Sequence, residues 1–163
     1  MIARVICLIM VFASVGLPVF AADWSRYVNP RFGAAADVPP GFSQEGPAEV
    51  NGEGRKFRAA NGRASVTVWG GHTISRDFSQ EMRTRISTDE AEGWALTYRS
   101  EPPDWAAWGG TRAGFVFYAK SISTCGGNQT ANVRLHYPAA DIPDFDAIAN
   151  RLGRSLAQDG GCF

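Results

Sequence analysis

Two β-prone runs around a single turn dominate this chain. The first reads Trp105-Ala106-Ala107-Trp108-Gly109-Gly110 and resumes at Phe115-Val116-Phe117-Tyr118-Ala119-Lys120. The second runs from Thr130 to Tyr137, and Cys125-Gly126-Gly127-Asn128 lies between them. Phe115 to Ile122 carries large residues on both faces, as a strand in the middle of a sheet does. Val133, Leu135 and Tyr137 alternate with Arg134 and His136, so the neighbouring strand has one apolar and one polar face. A chain with this centre must build a sheet, and its remaining elements must cover it.

Other strands follow from the same signals. Trp94 to Arg99 resumes a β pattern before the turn Glu101-Pro102-Pro103-Asp104. Arg55 to Arg58 and Ala64 to Trp69 flank Ala60-Asn61-Gly62-Arg63, and Asn-Gly between alternating runs is a strong hairpin signal. Val66 and Val68 then face one side, with Ser65, Thr67 and Trp69 on the other. Tyr27 to Gly33 reads as a short edge strand, because Pro30 has no N–H to give to a central ladder. Ala34 to Pro40 reads as a lead into the turn Pro39-Pro40-Gly41-Phe42, and Gln44 to Gly54 as a loop.

Two helices complete the pattern. Ser75 to about Glu92 places Phe78, Met82 and Ile86 four residues apart on one stripe, with Ser75 as N-cap, Asp77 in the first turn and Gly93 as the stop. Arg83, Arg85, Asp89 and Glu90 fall elsewhere on the wheel, and Asp89, Glu90 and Glu92 read as a solvated face. Asp141 to Gln158 carries Phe145, Ile148, Ala149, Leu152 and Leu156 on one amphipathic face, with Pro143 in its first turn. The expected fold class is therefore α+β: an antiparallel sheet of about five to seven strands with both helices packed against it. The expected core is Phe78, Met82, Ile86, Phe115, Phe117, Val133, Leu135, Phe145, Ile148, Leu152 and Leu156.

The N-terminus carries a different message. Arg4 precedes an apolar run from Val5 to Phe20, and Val19-Phe20-Ala21-Ala22 offers small residues for cleavage. That is the layout of a secretory signal peptide cleaved after Ala21 or Ala22. Gly16 and Pro18 interrupt the run, which falls short of the roughly 20 residues needed to span a membrane. The expected organisation is a signal peptide over 1–22 and a single domain over 23–163, periplasmic or secreted, with no integral membrane segment after cleavage. Subtracting Arg4 leaves 15 basic against 16 acidic residues, a net charge of −1. No nucleic-acid partner is expected from such a balance. Cys125 and Cys162 remain as an even pair in an exported chain and are expected to form one disulfide. The final helix, packed antiparallel to the strand ending at Tyr137, would return the tail to the Cys125 turn.

The element order resembles the Mog1/PsbP-like fold, together with a group of small exported bacterial proteins of similar pattern. The residues carrying the resemblance are Tyr27-Val28-Asn29-Pro30-Arg31-Phe32-Gly33, Phe57-Arg58 with Gly62, and Val68-Trp69-Gly70. Trp108 to Gly114, Phe117-Tyr118 and the helix after Leu135-His136-Tyr137-Pro138 complete it. The resemblance implies an α/β/α sandwich and an accessory or binding role without shared catalytic residues. It implies no reaction, and the photosystem context of the plant proteins does not transfer.

No Gly-x-Ser-x-Gly, His-Glu-x-x-His or phosphate-loop pattern occurs. Two distant histidines, His72 and His136, do not suggest a zinc site, and no metal or cofactor is expected. His136 lies on the polar face of its strand beside Arg134, and His72 at a strand end before a helix; each reads as a base or ligand contact, or as an ordinary strand histidine. Asp141, Asp144 and Asp146 read as charges on a helix N-terminus before they read as a calcium site. Arg55, Lys56, Arg58 and Arg63 form a basic hairpin, either a charge-protected edge or an anion contact. Trp69, Trp94, Trp105 and Trp108 are half-buried core or the lining of an aromatic groove. The candidate ligand-binding residues are Trp69, His72, Trp105, Trp108, Arg112, Arg134 and His136. The expected function is a non-catalytic periplasmic binding or accessory module for a partner protein or small ligand. The alternative is a small periplasmic hydrolase using a histidine base.

Overall fold

The computed structural model describes residues 23–46 and 51–162. The expected signal peptide lies outside them, as do residues 47–50 of the expected 44–54 loop. Ten strands and two helices follow in chain order: β1 (Ser25–Val28), β2 (Ala34–Val38), β3 (Phe42–Gln44), β4 (Gly54–Ala59), β5 (Ser65–His72), α1 (Phe78–Ala91), β6 (Ala95–Ser100), β7 (Trp105–Arg112), β8 (Phe115–Thr124), β9 (Gln129–Pro138), α2 (Ile142–Ser155) and β10 (Ala157–Gln158). Seven strands form one antiparallel sheet in the order β3-β4-β5-β9-β8-β7-β6, and three form a small one in the order β1-β2-β10. The two expected runs, β8 and β9, are the centre of the large sheet, paired from Phe115–Pro138 to Thr124–Gln129. Gly62, at φ 71°, closes the β4–β5 hairpin where Asn61-Gly62 predicted it.

The strand pleat sorts the core into two layers. Val66, Val68, Val133 and Leu135 face the layer made by α2 and the small sheet, where Leu152, Leu156, Ala34 and Ala36 are buried against them. Phe117, Ala119, Ala106 and Trp108 face α1, against Phe78, Met82 and Ile86. One helix thus covers each face of the large sheet. Cys125 and Cys162 are bonded, with Cα atoms 5.4 Å apart, and tie the tail to the β8–β9 turn as expected.

Several expectations are corrected. Tyr27 to Gly33 is not one strand: β1 ends at Val28, and the Asn29 side chain takes the N–H groups of Arg31 and Phe32 to form a turn. Ala34 to Val38, expected as a lead into a turn, is the middle strand of the small sheet and is buried throughout except at Asp37. Gln44 and Gly54, expected in a loop, close β3 and open β4. The N-cap of α1 is Asp77, not Ser75. The Asp77 carboxylate accepts the Gln80 N–H at 2.8 Å, and an acidic cap three residues before Gln satisfies an orphan donor where Ser75 would sit too early. The second helix stops at Ser155, because Leu156 turns extended and Ala157-Gln158 pairs with β2. Phe115 is 36 % exposed rather than core, since it lies past the end of α1's cover. Phe145 and Ile148 are half-buried at the margin of the α2 layer, where Phe145 stacks on Tyr137 at 4.5 Å.

Candidate functional site

The inward side of α1 is two rows of residues, each row spaced by four. One row is apolar: Phe78, Met82 and Ile86. The other is charged: Glu81, Arg85 and Asp89. Asp89 is 6 % exposed, so the expected solvated face fails at this residue. Its carboxylate accepts the Trp108 indole N–H at 2.6 Å and both Arg134 guanidinium nitrogens at 2.8 and 3.0 Å. Three charged-group hydrogen bonds are what make a buried carboxylate tolerable. Arg85 bonds Glu81 at 3.1 Å and donates to the buried Asn132 Oδ1 at 2.6 Å. Burial pushes the Glu81 carboxyl up, but the Ser75 hydrogen bond and the Arg85 charge outweigh it and hold it below the usual range.

An open cleft of about 430 Å³ runs beside the C-terminal half of α1 and past its end. Trp69, Arg85, Thr88, Asp89, Glu92, Trp94, Trp108, Arg112 and Arg134 line it. Its cations are positioned by rings. The Arg112 guanidinium lies 4.7 Å from the centre of Trp94 and donates to the Glu92 carbonyl, while that of Arg134 lies 3.9 Å from the centre of Phe117. His136, beside the cleft, stacks on Phe115 at 4.8 Å and meets Trp94 edge-on at 5.8 Å. Burial, and then the charges of Arg134, Lys56, Arg112 and Arg58, hold the His136 imidazole below its ordinary value.

Beside the cleft the sheet continues without a helix over it. Cross-strand register aligns Lys56 with Thr67 and Thr67 with Arg134, and in the next row Arg58 with Ser65 and Ser65 with His136. All six side chains share the α1 side of the sheet. The Glu45 carboxylate accepts from Arg58 at 2.5 Å and forms an ion pair with Lys56 at 3.1 Å. The other members of the expected basic hairpin point elsewhere: Arg55 donates to the Gly46 carbonyl, and Arg63 pairs with Asp141 at 3.8 Å.

Of the candidate residues, Trp69, Trp108, Arg112 and Arg134 come together in one cleft and His136 adjoins it. Trp108 is buried rather than available, and Arg134 is bound to Asp89. Trp105 lies on the opposite face, under the Lys120 ammonium at 5.2 Å. His72 also lies on that face, edge-on to Phe32 at 5.1 Å. The period-two pleat separates Trp105 from Trp108 and His72 from Trp69. Neither histidine hydrogen-bonds a Ser, Asp or Glu among the described residues. Asp89, Lys56, Thr67 and the ring of Trp94 are site residues that the sequence list omitted. The spacing of Glu81, Arg85 and Asp89 was the available signal, since a charged row repeating every four residues beside an apolar one can also face inward. A larger hollow of about 540 Å³ runs along the solvent side of α1, but it carries one cation, Arg83, and no aromatic ring. Among the described residues no three His, Cys, Asp or Glu side chains gather as a metal site. No described helix is long and apolar enough to cross a membrane.

No protein-family model and no curated protein matches the chain. Solved structures do. The solution structure of cyanobacterial PsbP (CyanoP) from Synechocystis sp. PCC 6803 superposes with a TM-score of 0.62 at 13 % identity, covering 91 % of this chain and 98 % of that one. The Saccharomyces cerevisiae Ran-binding protein Mog1p gives 0.56 at 10 % identity, with 85 % and 96 % coverage. A Mog1 mutant gives 0.58 at 11 % identity, with 84 % and 96 % coverage. The chain has a Mog1/PsbP-like fold, as its element order implied.

Proposed function

We propose that this chain is a non-catalytic binding or accessory module of the periplasm or the extracellular space, engaging a partner protein or small ligand through the α1-side cleft and the bare strands beside it. Residues 1–22 are its signal peptide, cleaved after Ala21 or Ala22, and 23–163 are one domain. The observation carrying this reading is the incomplete cover of the sheet. The face under α1 is packed at β7, β8 and the Thr130–Asn132 end of β9, yet the same face at β4, β5 and the Arg134–His136 end of β9 carries half-buried polar side chains and Trp69 with no helix over them. Sheet faces in small domains are ordinarily covered or evenly solvated, and a concave aromatic rim with convergent polar groups is the usual form of a binding site. The Cys125–Cys162 bond supports an oxidising compartment. The similarly folded Mog1p of Saccharomyces cerevisiae is a Ran-binding protein, which supports a protein partner here.

The test uses residues 23–163, immobilised and exposed to envelope extract of the source cells, against the Trp69→Ala variant. Retention of a discrete protein or ligand by the wild type, and its loss in the variant, is the expected result. Retention of nothing at low salt, or equal retention by both, refutes the assignment of the site. N-terminal sequencing of the fractionated protein is expected to begin at Ala22 or Asp23; a start at Met1 in the cytoplasmic fraction refutes export.

A further inference from the structure

We propose that the bare strands beside α1 dock an acidic, extended segment of a partner protein, whose carboxylates are received by Lys56 and Arg58 at one end and by Arg112 at the other. This deepens the binding reading above and rests on it.

Charge is unevenly matched across this face. Lys56 and Arg58 share the single carboxylate of Glu45, which leaves one positive charge uncompensated. Arg112 has a ring and a carbonyl as partners, and no carboxylate within ion-pair distance among the described residues. Arg134 is different: Asp89 already fills its fork, so it shapes the platform without offering donors. The surplus thus sits at two points of a face whose parent chain, 23–163, is slightly acidic. Glu92 on the cleft wall, and Glu45 and Glu53 beside Lys56, are carboxylates that a ligand must out-compete.

The geometry selects the ligand. Lys56 lies on β4 and Arg112 on β7, with β5, β9 and β8 between them. Four strand spacings of about 4.8 Å, with Arg112 four residues further along the strands than the row Lys56-Thr67-Arg134-Ala119-Trp108, put the two anchors roughly 23 Å apart, or about seven residues of extended chain. A segment of that length can place carboxylates at both ends, and its continuation past Lys56 meets Trp69, two residues along β5 from Thr67. The donors Thr67 and Ser65 line the path between. A polyphosphate or a membrane surface needs a continuous run of cations, and two unmatched charges separated by this distance do not supply one. Lys56, Arg58 and Glu45 keep 43 %, 40 % and 37 % side-chain exposure, so these pairs lie at the surface and can exchange with a ligand's carboxylates.

The experiment uses the disulfide-bonded protein, residues 23–163, and a fluorescein-labelled dodecapeptide of alternating glutamate and serine. The glutamine–serine peptide, inorganic phosphate and phosphatidylglycerol vesicles are the comparison arms. Fluorescence anisotropy is expected to show saturable binding of the glutamate peptide, at least tenfold weaker in 200 mM than in 20 mM salt, and none of the glutamine peptide. Lys56→Gln with Arg112→Gln should weaken it at least tenfold, whereas Arg76→Gln with Arg154→Gln, which makes the same charge change elsewhere, should leave it within twofold. Equal loss in both pairs, unchanged affinity in the first, or binding of vesicles or phosphate without the peptide overturns the proposal. A natural partner that is lost in Trp69→Ala but retained in Lys56→Gln with Arg112→Gln would keep the binding module and overturn the acidic segment alone.

Discussion

Replacing Asp89 by Ala is expected to destabilise the domain by about 3–4 kcal/mol. The carboxylate anchors three donors at 2.6, 2.8 and 3.0 Å, one from the Trp108 indole and two from the Arg134 guanidinium. Removing one partner of a buried ion pair costs about 3–5 kcal/mol, because the other charge stays buried and unpaired. Arg134 keeps 27 % side-chain exposure, which draws that cost toward the lower bound. The Trp108 N–H, on a residue 3 % exposed, loses its acceptor as well, a penalty of about 1–3 kcal/mol that overlaps with the first. Urea unfolding is the assay: with a slope near 2 kcal/mol/M, the midpoint should fall by about 1.5–2 M. Adding Arg134→Met to Asp89→Ala should restore about half of the loss, since it removes the stranded cation. A loss under about 1 kcal/mol, or strict additivity in the double variant, would show that the pair is not the buried unit described here.

Three further outcomes are expected. Cys125→Ser with Cys162→Ser should cost up to about 4 kcal/mol of unfolding free energy, from the 37-residue separation that the bond closes, and a loss smaller than about 2 kcal/mol in urea unfolding would place the tail's hold in β10 instead. Gly153→Ala should destabilise by about 1–3 kcal/mol although alanine is the better helix former, because an added Cβ would meet the Tyr118 hydroxyl; Tyr118→Phe should relieve it, and a stabilised variant would refute the contact. His136 should titrate below its usual value by NMR and rise when Lys56 becomes Glu; since the unfolded chain binds this proton first, stability should fall as pH drops from about 6.5 toward the folded value, and a His136→Phe variant with the same slope would refute the assignment.

The parts of this fold that were legible in the sequence are those where local and tertiary preferences agree. Asn61-Gly62 names its own turn, and Leu152 and Leu156 mark a buried helix face wherever that helix lies. Ala34-Ala35-Ala36 is the opposite case. Alanine favours helices, yet here small side chains let β2 wedge between α2 and the large sheet, and only the assembled layers supply that requirement. Asp89 was misread for a related reason. Charge on a helix suggests solvent, and its partners, Trp108 and Arg134, come from strands far along the chain. The candidate site was half legible because strand alternation assigns faces within a strand, so Arg134 and His136 of β9 share the polar face read from the sequence. It does not say which face of one strand adjoins which face of another, and Trp105 and His72 were included although they lie behind the sheet.

The pairing of β10 with β2 sets an order on the chain's own folding. Ala157 and Gln158 lie beside Ala35 and Ala34, more than a hundred positions earlier in the sequence. The early strand meets β1 within its own hairpin, but its second neighbour comes from beyond the whole large sheet. Until it arrives Ala34 has an unfilled edge, and the layer that covers Val66 and Val133 cannot close. Long-range pairing of this kind delays completion more than it weakens the finished fold. The folding chain therefore carries an open seam while the large sheet assembles, and the small sheet is sealed only when β10 docks.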